Sequence, residues 1–295
     1  MENKILIFGH KNPDTDTICS ALVKEILNKK NGCEKSKAVR LGNVNKETQY
    51  ALKYLGLEEP ELIEKVEEGQ EVILVDHNEF NQSVKGIEKA KILEVVDHHR
   101  ISNFETSEPL YYTARPFGCT STILFEEFKQ NNIEIEKTEA VLMASAIISD
   151  TLLFKSPTCT PVDTKIAKKL AKIAGVDIQE FAMEMFKAGT SLVGKTVDEI
   201  FNQDFKKFSF DNLQVGVAQV NSMDIEGFLP YKKDMLDYMN KFAEDNNLEF
   251  TLLLLTDIIN ANSEIFVGGP RPELVEKAFN VQLTECQGTL VGVIS

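Results

Sequence analysis

The sequence predicts an α/β protein in two parts: an N-terminal parallel-sheet domain with helices on both faces, and a smaller C-terminal α+β domain with a mixed sheet. Three observations predict it. Apolar strand-like runs alternate with helical patterns through the first half of the chain, as βαβ units require. Those runs are apolar at consecutive positions, so the sheet is covered on both faces. Beyond a short Gly, Ser and Thr segment the strands become shorter and hairpin-linked.

Residues 5–8 (ILIF), 71–76 (EVILVD) and 91–97 (KILEVVD) read as strands, each running into a polar loop. Helical patterns occupy 18–28, 46–55, 120–131, 138–149, 161–174 and 178–188. The segment GTSLVG at 189–194 collects turn formers and reads as a linker. It divides the chain into a domain at 1–188 and another at 195–295. In the latter, 207–210 and 213–220 pair as a hairpin across Asp211-Asn212. A helix at 231–246, strands at 249–256 and 264–268, a helix at 273–279 and a last strand at 288–294 follow. There is no internal repeat.

The 295 residues carry 32 Lys and Arg against 46 Asp and Glu, a net charge of −14. That balance excludes a broad nucleic-acid surface, which needs clustered cations, and disfavours an anionic membrane. An acidic protein that handles an anionic substrate needs local positive charge, and metal ions supply it economically. The apolar run at 5–8 is too short for a signal peptide or a spanning helix, so a cytoplasmic location is expected. The five cysteines are scattered and form no CxxC. Neither disulfides nor a zinc–thiolate site is expected.

All four histidines stand beside an aspartate or in a loop rich in them. GHKNPDTDT (9–17) carries His10, Asp14 and Asp16; DHN (76–78) carries Asp76 and His77; DHH (97–99) carries Asp97, His98 and His99. A fourth apolar run ends in SDT (149–151), which carries Asp150. In an open parallel sheet, ligands bind at the carboxyl ends of strands, and all four clusters are expected there. So many carboxylates in one crevice repel and raise one another's pKa unless cations compensate. Carboxylate and imidazole without thiolate suit Mn²⁺, Co²⁺ or Mg²⁺ rather than structural zinc. The number of ligands points to two metals sharing a bridging carboxylate. Three single residues keep alternatives: Asp16 as a helix cap, Asp97 as the orienting partner of a ligand histidine, and His77 as structural or functional.

GHKNPDTD, DHN, DHH and SDT, in this order, resemble the family II (manganese-dependent) inorganic pyrophosphatases of the DHH phosphoesterase superfamily. LGNVNKETQYAL (41–52), FETSEPLYY (104–112), GCTSTIL (118–124), LLFKSPTCT (152–160) and EKAFNVQL (276–283) extend the resemblance over essentially the whole chain. The resemblance implies a two-domain enzyme with its active site between the domains, two Mn²⁺ or Co²⁺ per chain, and a further Mg²⁺ arriving with pyrophosphate. It implies a homodimer formed through the first domain. His10, Asp14 and Asp76 would hold one metal; Asp16, Asp76, His98 and Asp150 would hold the other, with Asp76 bridging. His99 would contact the substrate and donate a proton, and Lys206, in the DFK sequence at 204–206, would grip phosphate. The family's basic SRKKQ segment would begin where this sequence ends, at Ser295; without it, metal binding should survive while substrate affinity and turnover fall. Arg271, in GGPRPE, reads as a surface turn residue rather than a replacement.

The expected reaction is hydrolysis of pyrophosphate to two phosphates by a hydroxide that two metals generate between them, with closure of the domains across 189–194 excluding water. The competing readings are a DHH-type short-chain polyphosphatase or oligonucleotide phosphodiesterase, and a metal-binding regulatory protein with weakened catalysis. The acidic charge and the lack of a basic, aromatic-studded groove disfavour the nucleic-acid enzyme. No inserted module lies between the motifs, so nucleotide regulation by such a module is not expected.

Overall fold

In the computed structural model, residues 4–210, 213–223, 225–257 and 262–292 are described. The chain divides into two compact units, Met1–Gly189 and Thr190–Ser295.

The first unit is built on six parallel strands: β1 (Ile5–Phe8), β2 (Ser36–Arg40), β3 (Glu61–Leu62), β4 (Glu71–Val75), β5 (Lys91–Asp97) and β6 (Tyr111–Ala114), in the spatial order β3-β2-β1-β4-β5-β6. Six helices accompany them: α1 (Thr15–Lys30), α2 (Lys46–Leu55), α3 (Thr120–Gln130), α4 (Lys137–Asp150), α5 (Pro161–Ala174) and α6 (Ile178–Gly189). Successive strand side chains leave the sheet on opposite faces, and the core splits accordingly. Ile7, Ile73, Val75 and Val96 pack with the α-helices. Leu6, Phe8, Val72, Leu74 and Val95 pack on the other face, with the short 3₁₀ helices Phe80–Gln82 and Ile87–Lys89 contributing Phe80 and Ile87. Both faces are therefore covered, as consecutive apolar residues demand.

Helix limits follow recognisable chemistry. Asn45 caps α2 by accepting the Thr48 N–H, and Gly56 closes it in the left-handed region. Thr160 and Asp163 form a reciprocal capping box at α5, with Pro161 as its first residue. Three strands escape the sequence reading. β2 is SKAVR and β6 is YYTA, too polar or too short to look like a strand in a buried sheet, and β3 has two residues.

The second unit contains α7 (Val197–Phe201), β7 (Phe205–Phe210), β8 (Leu213–Ser222), α8 (Lys232–Asp245), β9 (Phe250–Asp257), β10 (Asn262–Gly268), α9 (Glu273–Phe279) and β11 (Gln287–Val291). Its sheet runs β11-β10-β9-β8-β7; β8 and β9 are parallel and the other pairs antiparallel. It is the mixed sheet expected. The β7–β8 pairing closes at Phe210 and Leu213; the expected turn residues Asp211 and Asn212, and the end of the expected last strand, lie outside the described residues. Phe201, Phe228, Met235 and Leu253 form the core on one face, and Leu252, Ile265 and Val275 on the other. No helix among the described residues is long and apolar enough to cross a membrane.

Burial decides which side chains carry stability. Phe128, on α3, is fully buried, whereas Phe210 is 59% exposed. Phe128→Ala is expected to cost about 3–5 kcal/mol and Phe210→Ala no more than about 0.5 kcal/mol, read as midpoint shifts in denaturant unfolding; equal shifts would contradict the assigned core.

Candidate metal centre

The strand order reverses between β1 and β4, and a crevice opens at the carboxyl end of such a switch point. His10 and Asp14 follow β1, Asp76 follows β4, and Asp97 ends β5 with His98 and His99 behind it. Asp16 lies in the first turn of α1. Asp150 corrects the expectation that all four clusters end strands: it is the last residue of α4. The run before it is too long and uninterrupted for a strand. A left-handed turn follows, with Leu152, Leu153 and Phe154 at φ 47°, 49° and 71°. Such backbone is costly for residues other than glycine; the Leu153 N–H to the Ile148 carbonyl and the Phe154 N–H to the Thr151 hydroxyl hold it. The turn ends the helix at Asp150.

Among the described residues, the ligand-capable atoms form three overlapping sets, each within 4.8 Å: His10, Asp14 and Asp76; Asp16, Asp76, His98 and Asp150; and Asp76, His98 and His99. Asp76 belongs to all three. His10 Nε2 lies 3.4 Å from Asp14 Oδ2 and 3.5 Å from Asp76 Oδ2. His98 Nε2 lies 3.4 Å from Asp76 Oδ1 and 3.6 Å from Asp150 Oδ2. One Asp76 oxygen thus serves each side. The cleft beside this group, about 500 Å³, is lined by Asp14, His98, His99, Phe117, Gly118 and Asp150 among others.

Neighbours that the sequence reading did not single out fix these carboxylates. The Thr17 hydroxyl donates to Asp76 Oδ2 at 2.6 Å, and the Thr120 hydroxyl to Oδ1 at 3.1 Å. Asp76 itself stands at φ 60°, a region that Asp tolerates better than most residues, and its N–H bonds the Val96 carbonyl. A Cβ at Gly9 would lie 2.5 Å from Thr17 Cγ2, so glycine there lets Thr17 reach Asp76. The capping alternative for Asp16 resolves across the fold. Asp14 caps α1 through the Thr17 N–H. Asp16 accepts the Thr120 and Ser121 N–H groups at 2.6 and 3.2 Å, capping α3, whose own N-cap, Cys119, supplies no side-chain bond. Ser20 adds a hydroxyl at 2.6 Å. The sequence marks these residues only as small hydroxyl side chains near the starts of α1 and α3, which local capping explains equally well.

The donor set fits a divalent cation. His98 Nδ1 donates to the Phe117 carbonyl at 3.0 Å, which leaves Nε2 with the lone pair in the neutral ring. That Nε2 is buried without a hydrogen-bond partner, and its neighbours are carboxylates, which only accept. A lone pair facing anions calls for a cation. Burial pushes the thiols of Cys19 and Cys119 well above the ordinary range, so neither supplies a thiolate.

The cation-free electrostatics are correspondingly strained. Burial, then the charges of Asp16 and Asp14, push Asp76 up to about 7. Burial, Asp16 and Asp76 drive Asp150 well above the carboxylate range. Burial opposes charging His98, yet the Asp76 contact and the Asp16 charge outweigh it and raise its pKa to about 9. Protons therefore occupy part of the role of a metal.

The remaining residues separate clearly. Asp97 lies outside the three sets; its Oδ1 accepts His99 Nδ1–H at 2.9 Å and the His99 N–H at 3.0 Å, while Asn78 Nδ2 donates to Oδ2 at 2.6 Å. That contact chiefly raises the His99 pKa against its burial. The geometry thus favours the orienting alternative for Asp97, with His99 as the histidine oriented. His77 donates Nδ1–H to the Val75 carbonyl, and burial lowers its pKa to about 4; it too lies outside the sets. Lys206 is the second residue of β7 in the second unit, exposed and 2.8 Å from Asp204. Arg271 pairs with Glu273 at 3.1 Å and Glu249 at 3.8 Å, as a surface turn residue does.

Comparison with known proteins matches the DHH family, N-terminal domain, over residues 4–147 and the DHHA2 domain over residues 183–295. The chain is 52% identical to the manganese-dependent inorganic pyrophosphatase of Bacillus subtilis over 293 residues, covering 99% of this chain and 94% of that protein. A candidate enzyme of the same name from Clostridium acetobutylicum is 51% identical over 295 residues, covering 100% of this chain and 95% of that one. The crystal structure of a candidate family II inorganic pyrophosphatase from Methanococcus jannaschii superposes with a TM-score of 0.63 at 41% identity, covering 98% of this chain and 94% of that one.

The raised pKa values fix a pH dependence. Asp76 is shifted from 3.8 to about 7 and His98 from 6.5 to about 9, so the cation-free folded state holds protons that the unfolded chain has released. Stability from these groups is present at low pH and is lost as pH rises through about 7 and about 9. In EDTA the thermal midpoint should fall between pH 6 and pH 9. Mn²⁺ should restore it and, by displacing those protons, bind more tightly as pH rises. A midpoint that rises with pH in EDTA would contradict this electrostatic picture.

Proposed function

Because the chain belongs to the manganese-dependent inorganic pyrophosphatases, we propose that it hydrolyses inorganic pyrophosphate to two phosphates. The observation that carries this reading is the sharing of Asp76 by two ligand-capable sets, His10 with Asp14 and Asp16 with His98 and Asp150. We assign one Mn²⁺ or Co²⁺ to each set, with Mg²⁺ entering alongside the substrate. When bound, such ions neutralise phosphate charge and acidify water for attack.

The chain's own groups do the rest. Thr17 and Thr120 keep both Asp76 oxygens in place, and the α3 amides hold Asp16, so the ligand positions are set before substrate arrives. Asp97 occupies His99 Nδ1 and favours its charged form, leaving Nε2 as the atom that donates a proton to the departing phosphate. Lys206 offers an ammonium to a substrate phosphate. We assign the metal chemistry to the first unit and substrate binding to the second. The outer edge of β6, which pairs with no strand among the described residues and where Tyr111 is 81% exposed, supports a homodimer through the first unit. Five unpaired cysteines are consistent with the reducing cytoplasm.

The test is phosphate release from pyrophosphate with Mn²⁺ and Mg²⁺, run beside tripolyphosphate and a dinucleotide. Rapid cleavage of pyrophosphate above both is expected; preference for the dinucleotide would overturn the substrate. His99→Gln should lower kcat about 10²–10⁴-fold while Mn²⁺ binding persists. Asp97→Asn should lower kcat less and shift the alkaline limb of its pH profile to lower pH, since His99 loses the anion that favours its charged form. Lys206→Ala should act mainly on KM.

A further inference from the structure

Several cations of this acidic chain are tied to carboxylates. Lys24 bridges Glu94 and Glu127 at 2.7 and 2.8 Å, Lys30 pairs with Glu136 and Glu139, Arg40 with Glu59, and Lys91 with Glu71. At one place, four cations without such partners share a cleft. Arg115 after β6, Lys129 on α3, and Lys165 and Lys169 on α5 border a cleft of about 880 Å³. None of the four forms an ion pair with a carboxylate among the described residues. Glu126, the one acid on the rim, is not ion-paired with any of them.

The floor of this cleft is apolar. Phe125 and Ile166 are each 6% exposed, and Val162 lies half-buried beside them. Lys169 Nζ sits 5.3 Å from the Phe125 ring centroid. Lys165 and Lys169 stand at i, i+4, on one face of α5, and Lys129 approaches from α3 closely enough to pull the Lys169 ammonium below the ordinary lysine range. The spacing of the two helices is set elsewhere: Asp163 of α5 accepts the Thr122 hydroxyl of α3 at 2.6 Å and the Gly118 N–H at 2.9 Å. These lysines are exposed, yet they border one recess with an apolar floor, and like charges held together repel unless an anion joins them.

We propose that this cleft binds an organic polyphosphate with a flat apolar group, of which a nucleoside triphosphate is the simplest example. Its phosphates lie among Arg115, Lys129, Lys165 and Lys169, and its ring lies over Phe125, Val162 and Ile166. The volume is that of a small-molecule site. The cleft is distinct from the metal centre, and the proposal does not rest on the pyrophosphatase reading.

Titration calorimetry of the full chain in EDTA at fixed ionic strength tests it, with ATP and tripolyphosphate as probes. Without metal the Asp cluster repels anions, so the heat reports on the cleft. ATP is expected to bind saturably, and tripolyphosphate roughly tenfold more weakly for want of the apolar contact. The double variant Lys165→Glu/Lys169→Glu and, on the opposite helix, Lys129→Glu should each weaken ATP binding roughly tenfold or more, with circular dichroism unchanged. No saturable binding of ATP, or equal binding by the variants, would overturn the site. Tripolyphosphate binding as tightly as ATP would overturn the assigned ligand class.

Discussion

Asp14, Asp16, Asp76 and Asp150 meet at one end of the first sheet, and three of them are at least largely buried. Unscreened carboxylates at such separations repel by several kcal/mol even at a protein-surface dielectric. Charge of the opposite sign has to be present for the fold to hold them. Protons supply it in part, through an Asp76 pKa of about 7 and a His98 pKa of about 9. Divalent cations supply it fully, and give the buried Nε2 lone pair of neutral His98 a partner. Much of the surrounding construction answers to this one repulsion.

The sheet brings the residues together, and α3 fixes them. Its first two amides hold Asp16, and its first side chain holds Asp76. Two carboxylates from opposite sides of the switch point are thereby tied to one helix end, whose partial positive charge favours anions. Close backbone approach does the same for the first loop: a Cβ at Gly42 would lie 2.3 Å from the Lys11 carbonyl oxygen, so glycine there lets the neighbouring strand loop brace the segment that carries His10 and Asp14.

The sequence made legible what is written in residue type and strict local pattern. The four histidines, their aspartates and the apolar strands β1, β4 and β5 could be read directly, and helices α2 and α5 to the residue. What it hid depends on tertiary contact. β2 is polar because it lies toward the rim of the sheet, and no local pattern separates SKAVR from a loop. The helix at 138–149 is legible, but that its last residue, Asp150, reaches the crevice at the strand ends depends on how α4 packs. Asp16 looked like a cap of its own helix, yet it caps one more than a hundred residues away. The roles of Thr17 and Thr120 are invisible until the fold sets them on Asp76, and the basic cleft exists only because α3 and α5 pack side by side.

The central claim is that Asp76 bridges two cations. Anomalous diffraction at the manganese edge from crystals grown with Mn²⁺ tests it most directly. The account predicts two peaks in the first unit, one among His10, Asp14 and Asp76 and one among Asp16, Asp76, His98 and Asp150. A single peak, or two peaks neither of which touches Asp76, would contradict it.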